Sequence, residues 1–229
     1  MLLRFINFVK LQICNQTALN YPKTDIKVEQ LSVKINDRLL FKDLCFNVKS
    51  GEKAIIKGKS GTGKTTLLHT LMGFHEIDKG KIFIKNLFLS PENIDKIRMR
   101  ISWVPQNVFL PFENVKNAIR YPFGFKANRN MNISENIIVQ ELKKLNLPSS
   151  ILTHNFNQLS GGEKQRILIL IAKLLKREII LLDEPTSALD EETKNIVVDY
   201  LFAMPQTLLI VSHDAEVINR ADKVITLNP

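Results

Sequence analysis

Gly58-Lys59-Ser60-Gly61-Thr62-Gly63-Lys64-Thr65 lies between an apolar stretch, Ala54-Ile55-Ile56-Lys57, and a run of helix formers that begins at Lys64 and stops at Gly73. The pattern G-x-x-x-x-G-K-[ST] between strand and helix is a phosphate-binding loop, and it calls for an α/β core. Its backbone N–H groups cradle phosphate oxygens, and its glycines let the backbone approach them without a Cβ clash. Lys64 places a point charge at the β- and γ-phosphates, and the Thr65 hydroxyl is a hard oxygen ligand for Mg²⁺. With Thr66 as the next helical residue, this stretch is read as nucleotide-binding. Alone, it specifies only a nucleoside triphosphate.

Three further elements narrow the reading. Ile179-Ile180-Leu181-Leu182 is an uninterrupted apolar run that ends in Asp183-Glu184. Such a run suits a central parallel strand buried on both faces, with its acids at the carboxyl end, where open α/β sheets bind ligands. Asp183 is suited to hold Mg²⁺ through water, and Glu184 to act as general base on an attacking water. Leu159-Ser160-Gly161-Gly162-Glu163 opens a long helix with Ser160 as N-cap and Glu163 completing a capping box. Capping explains Ser160 and Glu163 but not two adjacent glycines, which weaken a first turn unless something lies against the backbone there. A helix N-terminus favours anions, so Ser160, Gly161 and Gly162 make a second candidate phosphate contact far along the chain. Gln106 follows the strand Arg100-Ile101-Ser102-Trp103-Val104-Pro105, and its amide either ligates Mg²⁺ or orients water. His213 follows the strand Leu208-Leu209-Ile210-Val211-Ser212, again at a carboxyl end and placed for the γ-phosphate.

Taken together and in this order, the motifs resemble those of the ATP-binding cassette (ABC) ATPases, from about Val28 to Leu227. The resemblance implies a P-loop NTPase (RecA-like) core, an antiparallel β-subdomain and an inserted α-helical subdomain. It also implies ATP hydrolysis with Mg²⁺ and a head-to-tail homodimer with each ATP between the phosphate loop of one subunit and the signature, residues 159–163, of the other. The motif Ser187-Ala188-Leu189-Asp190 corresponds to the family's aspartate loop. An integral membrane permease is the implied partner, and the implied location is cytoplasmic, on the inner face of the cell membrane. The stretch Ser150-Ile151-Leu152-Thr153, the signature region from Leu159 to Arg166 and the stretch Ala221-Asp222-Lys223-Val224-Ile225-Thr226-Leu227 are similar to the small ATPase subunits of bacterial metal (iron) exporters. Lipoprotein-release and macrolide-export subunits share the size and motifs. The chain departs from the family at Leu31-Ser32-Val33-Lys34-Ile35, which lacks the aromatic residue that stacks on adenine. Val33 or Ile35 is left to supply apolar contact, and weaker base discrimination is expected.

The layout expected is an N-terminal extension over 1–25 and the ATPase domain over 26–229. Within it, residues 26–57 form short antiparallel strands with turns at Asn36-Asp37 and Ser50-Gly51, and Lys81-Ile82-Phe83-Ile84 joins the nucleotide core. The helical subdomain covers about 107–175, broken at Pro148 and around His154-Asn155, with a buried helix at 167–175. Asn107-Val108-Phe109-Leu110-Pro111-Phe112 and Pro122-Phe123-Gly124-Phe125 either fill that subdomain's core or form a groove for a partner's short helix. Cys14 and Cys45 form no metal spacing or disulfide framework, which points to a reducing compartment. No apolar run is long enough to span a membrane. Residues 1–11 carry Arg4, Asn7 and Lys10 and lack a signal-cleavage pattern, so they read as an extension, with an interfacial anchor as the other reading. The net charge of +9 suits ATP, an anionic membrane surface or nucleic acid. No basic run is interleaved with aromatics, so nucleic acid is not expected. A non-transport ABC ATPase acting on nucleic acid or ribosomes is the alternative; the chain has one cassette and no heptads. A phosphate-loop kinase or GTPase is opposed by the signature and by Asp183-Glu184.

Overall fold

The computed structural model describes residues 23–35, 38–107 and 112–227. The expected N-terminal extension up to residue 22, the turn at Asn36-Asp37, Cys14 and residues 108–111 of the run 107–112 lie outside these residues.

Two sheets divide the chain. Strands β1 (Thr24–Ile35) and β2 (Arg38–Lys49) pair antiparallel along their twelve-residue lengths. Then β4 (Lys79–Ile84) and β5 (Leu87–Phe88) complete the order β2-β1-β4-β5. The second sheet is parallel, ordered β6-β7-β8-β3-β9, from β6 (Ile101–Val104), β7 (Ile179–Asp183), β8 (Thr207–Val211), β3 (Lys53–Lys57) and β9 (Lys223–Thr226). Every residue of β7 and β8 is buried, as a parallel strand covered on both faces requires.

Three expectations are corrected here. The strands before β3 are long rather than short, and β3 itself lies in the parallel sheet, paired with β8 and β9. The segment Lys81–Ile84 does not join the nucleotide core; it pairs antiparallel with β1. A tight turn follows it. Lys85 and Asn86 have φ of 50° and 64°, and two consecutive left-handed residues turn β4 straight back into β5 as a tight hairpin.

Helix α1 (Lys64–Leu71) follows the phosphate loop, and α2 (Ile94–Arg98) precedes β6. The helical region holds α3 (Val115–Arg120), α4 (Glu135–Lys144), α5 (Gly161–Leu174) and short 3₁₀ turns at Ser149–Thr153 and Phe156–Gln158, on either side of the break around His154-Asn155. Helices α6 (Glu191–Phe202) and α7 (Ala215–Asn219) return the chain to the parallel sheet. As the apolar pattern of 167–175 predicts, most of that stretch is buried.

Alternation along β3 sorts its side chains between two cores. Ile55 packs with the helical region and α6, whereas Ala54 and Ile56 face α1 and the antiparallel sheet. A polar seam joins the sheets where their strands begin. The Lys53 ammonium donates to the carbonyls of Gly51, Met204 and Gln206 at 2.7–2.8 Å. The buried Asp25 carboxylate accepts from the Thr207 hydroxyl at 2.6 Å and pairs with the Lys85 ammonium at 2.9 Å. These bonds satisfy buried polar groups that would otherwise cost stability unpaired.

Candidate functional site

The sheet order places the motif residues side by side. Gln106 follows β6, Asp183 and Glu184 end β7, His213 follows β8, and the phosphate loop follows β3. These four strands are consecutive neighbours, and their carboxyl ends open into one cleft of about 540 Å³. Gly58, Ser60, Gly61, Gly63, Lys64, Thr65, Thr66, Gln106, Asp183, Glu184 and His213 all line it.

The loop is shaped by its own side chains. The Lys64 ammonium bends back to the carbonyls of Gly58 (2.9 Å) and Lys59 (3.1 Å), and the buried Thr62 hydroxyl donates to the Lys59 carbonyl at 2.8 Å. Lys59 and Thr62 therefore contribute backbone and shape rather than side chains that line the cleft. Gly63 sits at φ 87° as the N-cap of α1, a conformation that strongly favours glycine, and no side chain caps that helix. The first N–H groups of α1 are thus left to face the cleft, which suits an anion.

The two acids at the carboxyl end of β7 have different surroundings. Asp183 is buried, and its Oδ2 accepts from the Thr65 hydroxyl at 2.7 Å. This pair of hard oxygens fits a divalent ion that takes only one or two protein ligands and completes its shell from phosphates and water. Glu184 lies just beyond the strand at φ 48°, a strained value for a non-glycine residue. Its N–H still donates to the Val211 carbonyl at 2.9 Å, so the backbone stays tied to β8 while the side chain turns into the cleft. Its carboxylate meets the Nδ1 of the exposed His213 at 3.0–3.1 Å.

Ser160, Gly161 and Gly162 do not line this cleft. They stand at the start of α5, where a full capping box closes. Ser160 N–H and Oγ–H both donate to Glu163 Oε2 at 2.9 Å, and Glu163 N–H donates to Ser160 Oγ at 3.2 Å. The Ser160 N–H bond is the main influence holding the Glu163 carboxyl below the usual carboxylate range. The backbone of Gly162 is also occupied on one side. A Cβ there would lie 2.9 Å from Leu189 Cδ2 and 3.0 Å from the Ala188 carbonyl oxygen. The aspartate loop of the same chain is what lies against the second glycine.

Sequence reasoning missed one wall of the cleft. Val33 is fully buried in the core and unavailable to a base, whereas Leu40 on β2 lines the cleft and stands 3.3 Å from where a Gly63 Cβ would be. A signal was present. Leu39-Leu40-Phe41 is a longer apolar run than a strand with one buried face needs, and the surplus residue faces the site.

A family model described as ABC transporter matches residues 41–187. The chain belongs to the ABC transporter family. This ABC ATPase is 33% identical over 208 residues to the "Probable iron export ATP-binding protein FetA" of Escherichia coli K12, covering 89% of this chain and 91% of the relative. It is 29% identical to the ATP-dependent lipid A-core flippase of Francisella novicida, but it spans only 35% of that protein. Among solved structures, it superposes on the ATP-binding cassette MJ0796, a dimer in a post-hydrolysis state bound to ADP and Pi. That match has a TM-score of 0.75 at 27% identity and covers 89% of this chain and 94% of the other. It also superposes, with a TM-score of 0.71 at 29% identity, on a chain of an ABC transporter in an inward-facing conformation, covering 90% and 80%. The shared fold is an ABC cassette, with a parallel α/β sheet beside an antiparallel β-subdomain. The protein is an ATP-binding ATPase of this family.

Proposed function

We propose that two copies of this chain close head to tail around two ATP molecules and drive a separate membrane subunit. One observation carries the reading. The signature residues Ser160, Gly161 and Gly162 stand outside the chain's own nucleotide cleft, so a γ-phosphate held by Lys64 needs a second chain to meet them. A two-fold pair satisfies both sites at once. The post-hydrolysis dimer of MJ0796 supports the same assembly.

In this reading the backbone of residues 58–63 and the N-terminus of α1 hold the phosphates. Lys64 exchanges the Gly58 and Lys59 carbonyls for β- and γ-phosphate oxygens. Thr65 and Asp183, with Gln106 nearby, would hold Mg²⁺, which when bound neutralises charge on the phosphates. Glu184 accepts the proton of the attacking water. His213, with its proton on Nδ1, donates to Glu184 and holds that carboxylate towards the γ-phosphate.

Among the described residues no helix is long and apolar enough to cross a membrane, and the proposed membrane subunit would supply the transport path. An aromatic cluster offers a place for that subunit: Tyr121 lies tilted against the partly buried Phe112 and edge-on to Phe125, with ring centroids 4.9 and 5.0 Å apart. Tyr121 and Phe125 are about half exposed, more than core packing explains. The protein would then act in the cytoplasm, against the inner face of the membrane. The similarity to the FetA protein over nearly its whole length favours iron or another metal as cargo.

Mixing two inactive variants tests the assembly. Ser160→Arg fouls only the partner's nucleotide, and Lys64→Ala removes only the chain's own. A mixed dimer keeps one intact composite site, so mixing restores part of the hydrolysis that each variant lacks. Hydrolysis strictly first order in protein, with no rescue on mixing, would refute the dimer.

A further inference from the structure

The apolar contact among α4, α5 and α6 contains one buried charge. Glu141 on α4 is buried, with its side chain only 11% exposed. Its Oε2 accepts from the Tyr200 hydroxyl on α6 at 2.5 Å and from the Lys173 ammonium on α5 at 3.0 Å. Its Oε1 accepts from Lys144, one turn along α4, at 2.7 Å. The Lys173 ammonium also lies 4.4 Å above the Tyr200 ring. Each bond comes from a different helix, and together they satisfy the carboxylate. Burial alone pushes the Glu141 carboxyl up, but the bonds from Lys144, Tyr200 and Lys173 outweigh it and hold it at about 2. Burial is also the main reason the Tyr200 hydroxyl is pushed far above its usual value, so it stays a donor.

A buried ion network seldom stabilises a fold more than apolar packing of the same volume, and its distinctive property is direction. Leucine and isoleucine contacts tolerate sliding of one helix on another, whereas a carboxylate tied to three helices does not. The far end of the same pair of elements has its own tie. Gly162, in the first turn of α5, lies against Ala188 and Leu189, just before Asp190 caps α6. The signature helix and the helix after the aspartate loop are therefore fastened at both ends.

We propose that Glu141, through Tyr200 and Lys173, is a positioning residue for ATP hydrolysis: it locks α5 to α6 so that residues 160–162 and 188–190 face the partner's nucleotide as one rigid unit. This rests on the head-to-tail dimer proposed above. Neither Glu141 nor Tyr200 lines the nucleotide cleft, so the effect must pass through geometry.

Tyr200→Phe deletes one hydroxyl and keeps the ring beneath Lys173; Glu141→Gln keeps an acceptor and removes the charge. Both are compared with the parent full-length chain for ATP affinity of the monomer, melting temperature, kcat and hydrogen exchange of residues 160–163 and 188–190. The lock predicts a kcat lowered about three- to tenfold by Tyr200→Phe, with monomer ATP affinity within twofold and melting within a few degrees. It also predicts several-fold faster exchange at both loops, with Glu141→Gln affected in the same direction. Parental exchange and kcat in both variants would overturn the lock. So would a kcat loss matched by an equal loss of monomer ATP affinity, which marks a general structural defect. The dimer reading fails separately. If the parent chain never pairs with ATP, exchange in the monomer still reports the lock: faster exchange at both loops upholds it, and parental exchange overturns it.

Discussion

Helices α1 and α5 both begin in glycine-rich sequence, yet their N-termini are finished in opposite ways. The first has no side-chain cap, and the Lys64 ammonium bends back over its loop. The second is closed by Ser160 and Glu163, so a carboxylate already sits where an anion would otherwise bind. An open helix N-terminus attracts phosphate by itself. In the dimer proposed above, the self-capped one would meet nucleotide only when a second chain brings the phosphate to it. The contrast explains how one chain carries two such elements without both acting on the same ATP.

The largest test of the contrast removes chemistry at the open end and leaves binding. Glu184→Gln should slow hydrolysis about 10²–10⁴-fold while ATP still binds, because the amide cannot accept the proton of water. Size-exclusion chromatography with ATP should then show a trapped dimer; parental turnover would remove Glu184 from the base role. Lys64→Ala should weaken ATP binding by more than about tenfold, or about 1.4 kcal/mol, in calorimetry. Leu40→Tyr should sharpen base selection by up to about tenfold, since stacking adds about 0.5–1.5 kcal/mol beyond burial. Its readout is competition between ATP and GTP, with an unchanged ratio counting against Leu40 as the wall for the base.

The smallest effect belongs to the closed end. Glu163→Ala should lower stability by up to about 1 kcal/mol in chemical unfolding and leave monomer ATP affinity unaltered. The folded-state pKa of Glu163 is depressed, so its contribution is fully present above the ordinary glutamate pKa and fades as pH falls through the lower folded value. The difference between parent and variant should therefore be seen at pH 7 and shrink in acid. A monomer whose ATP affinity drops with this change would contradict the division of labour.

What could be read in advance followed from chemistry that is local in sequence. The phosphate loop, the run ending in Asp183-Glu184 and the Ser160–Glu163 capping box each declare themselves within about ten residues, and each occurs where it was expected. Strand β4 did not, because its apolar alternation suits either sheet and only its pairing with the distant β1 decides which. Leu40 left only a faint signal, one apolar residue more than β2 needs for a single buried face, and such a surplus does not by itself name a ligand. The contact of Gly162 with Leu189 and that of Glu141 with Tyr200 join segments 27 and 59 residues apart. No spacing rule reaches so far, since such pairs exist only once the helices have docked.

The order β6-β7-β8-β3 also works as a ruler. Adjacent strands are held about 4.8 Å apart by backbone hydrogen bonds, whatever their side chains. Gln106, the paired acids, His213 and the phosphate loop therefore stand at successive graduations, with about 14 Å from first to last. The distances that matter for reaction are written into the main chain rather than the core. Residues such as Ile180 and Leu209 can consequently vary in size at a cost in stability while the candidate site groups keep their spacing.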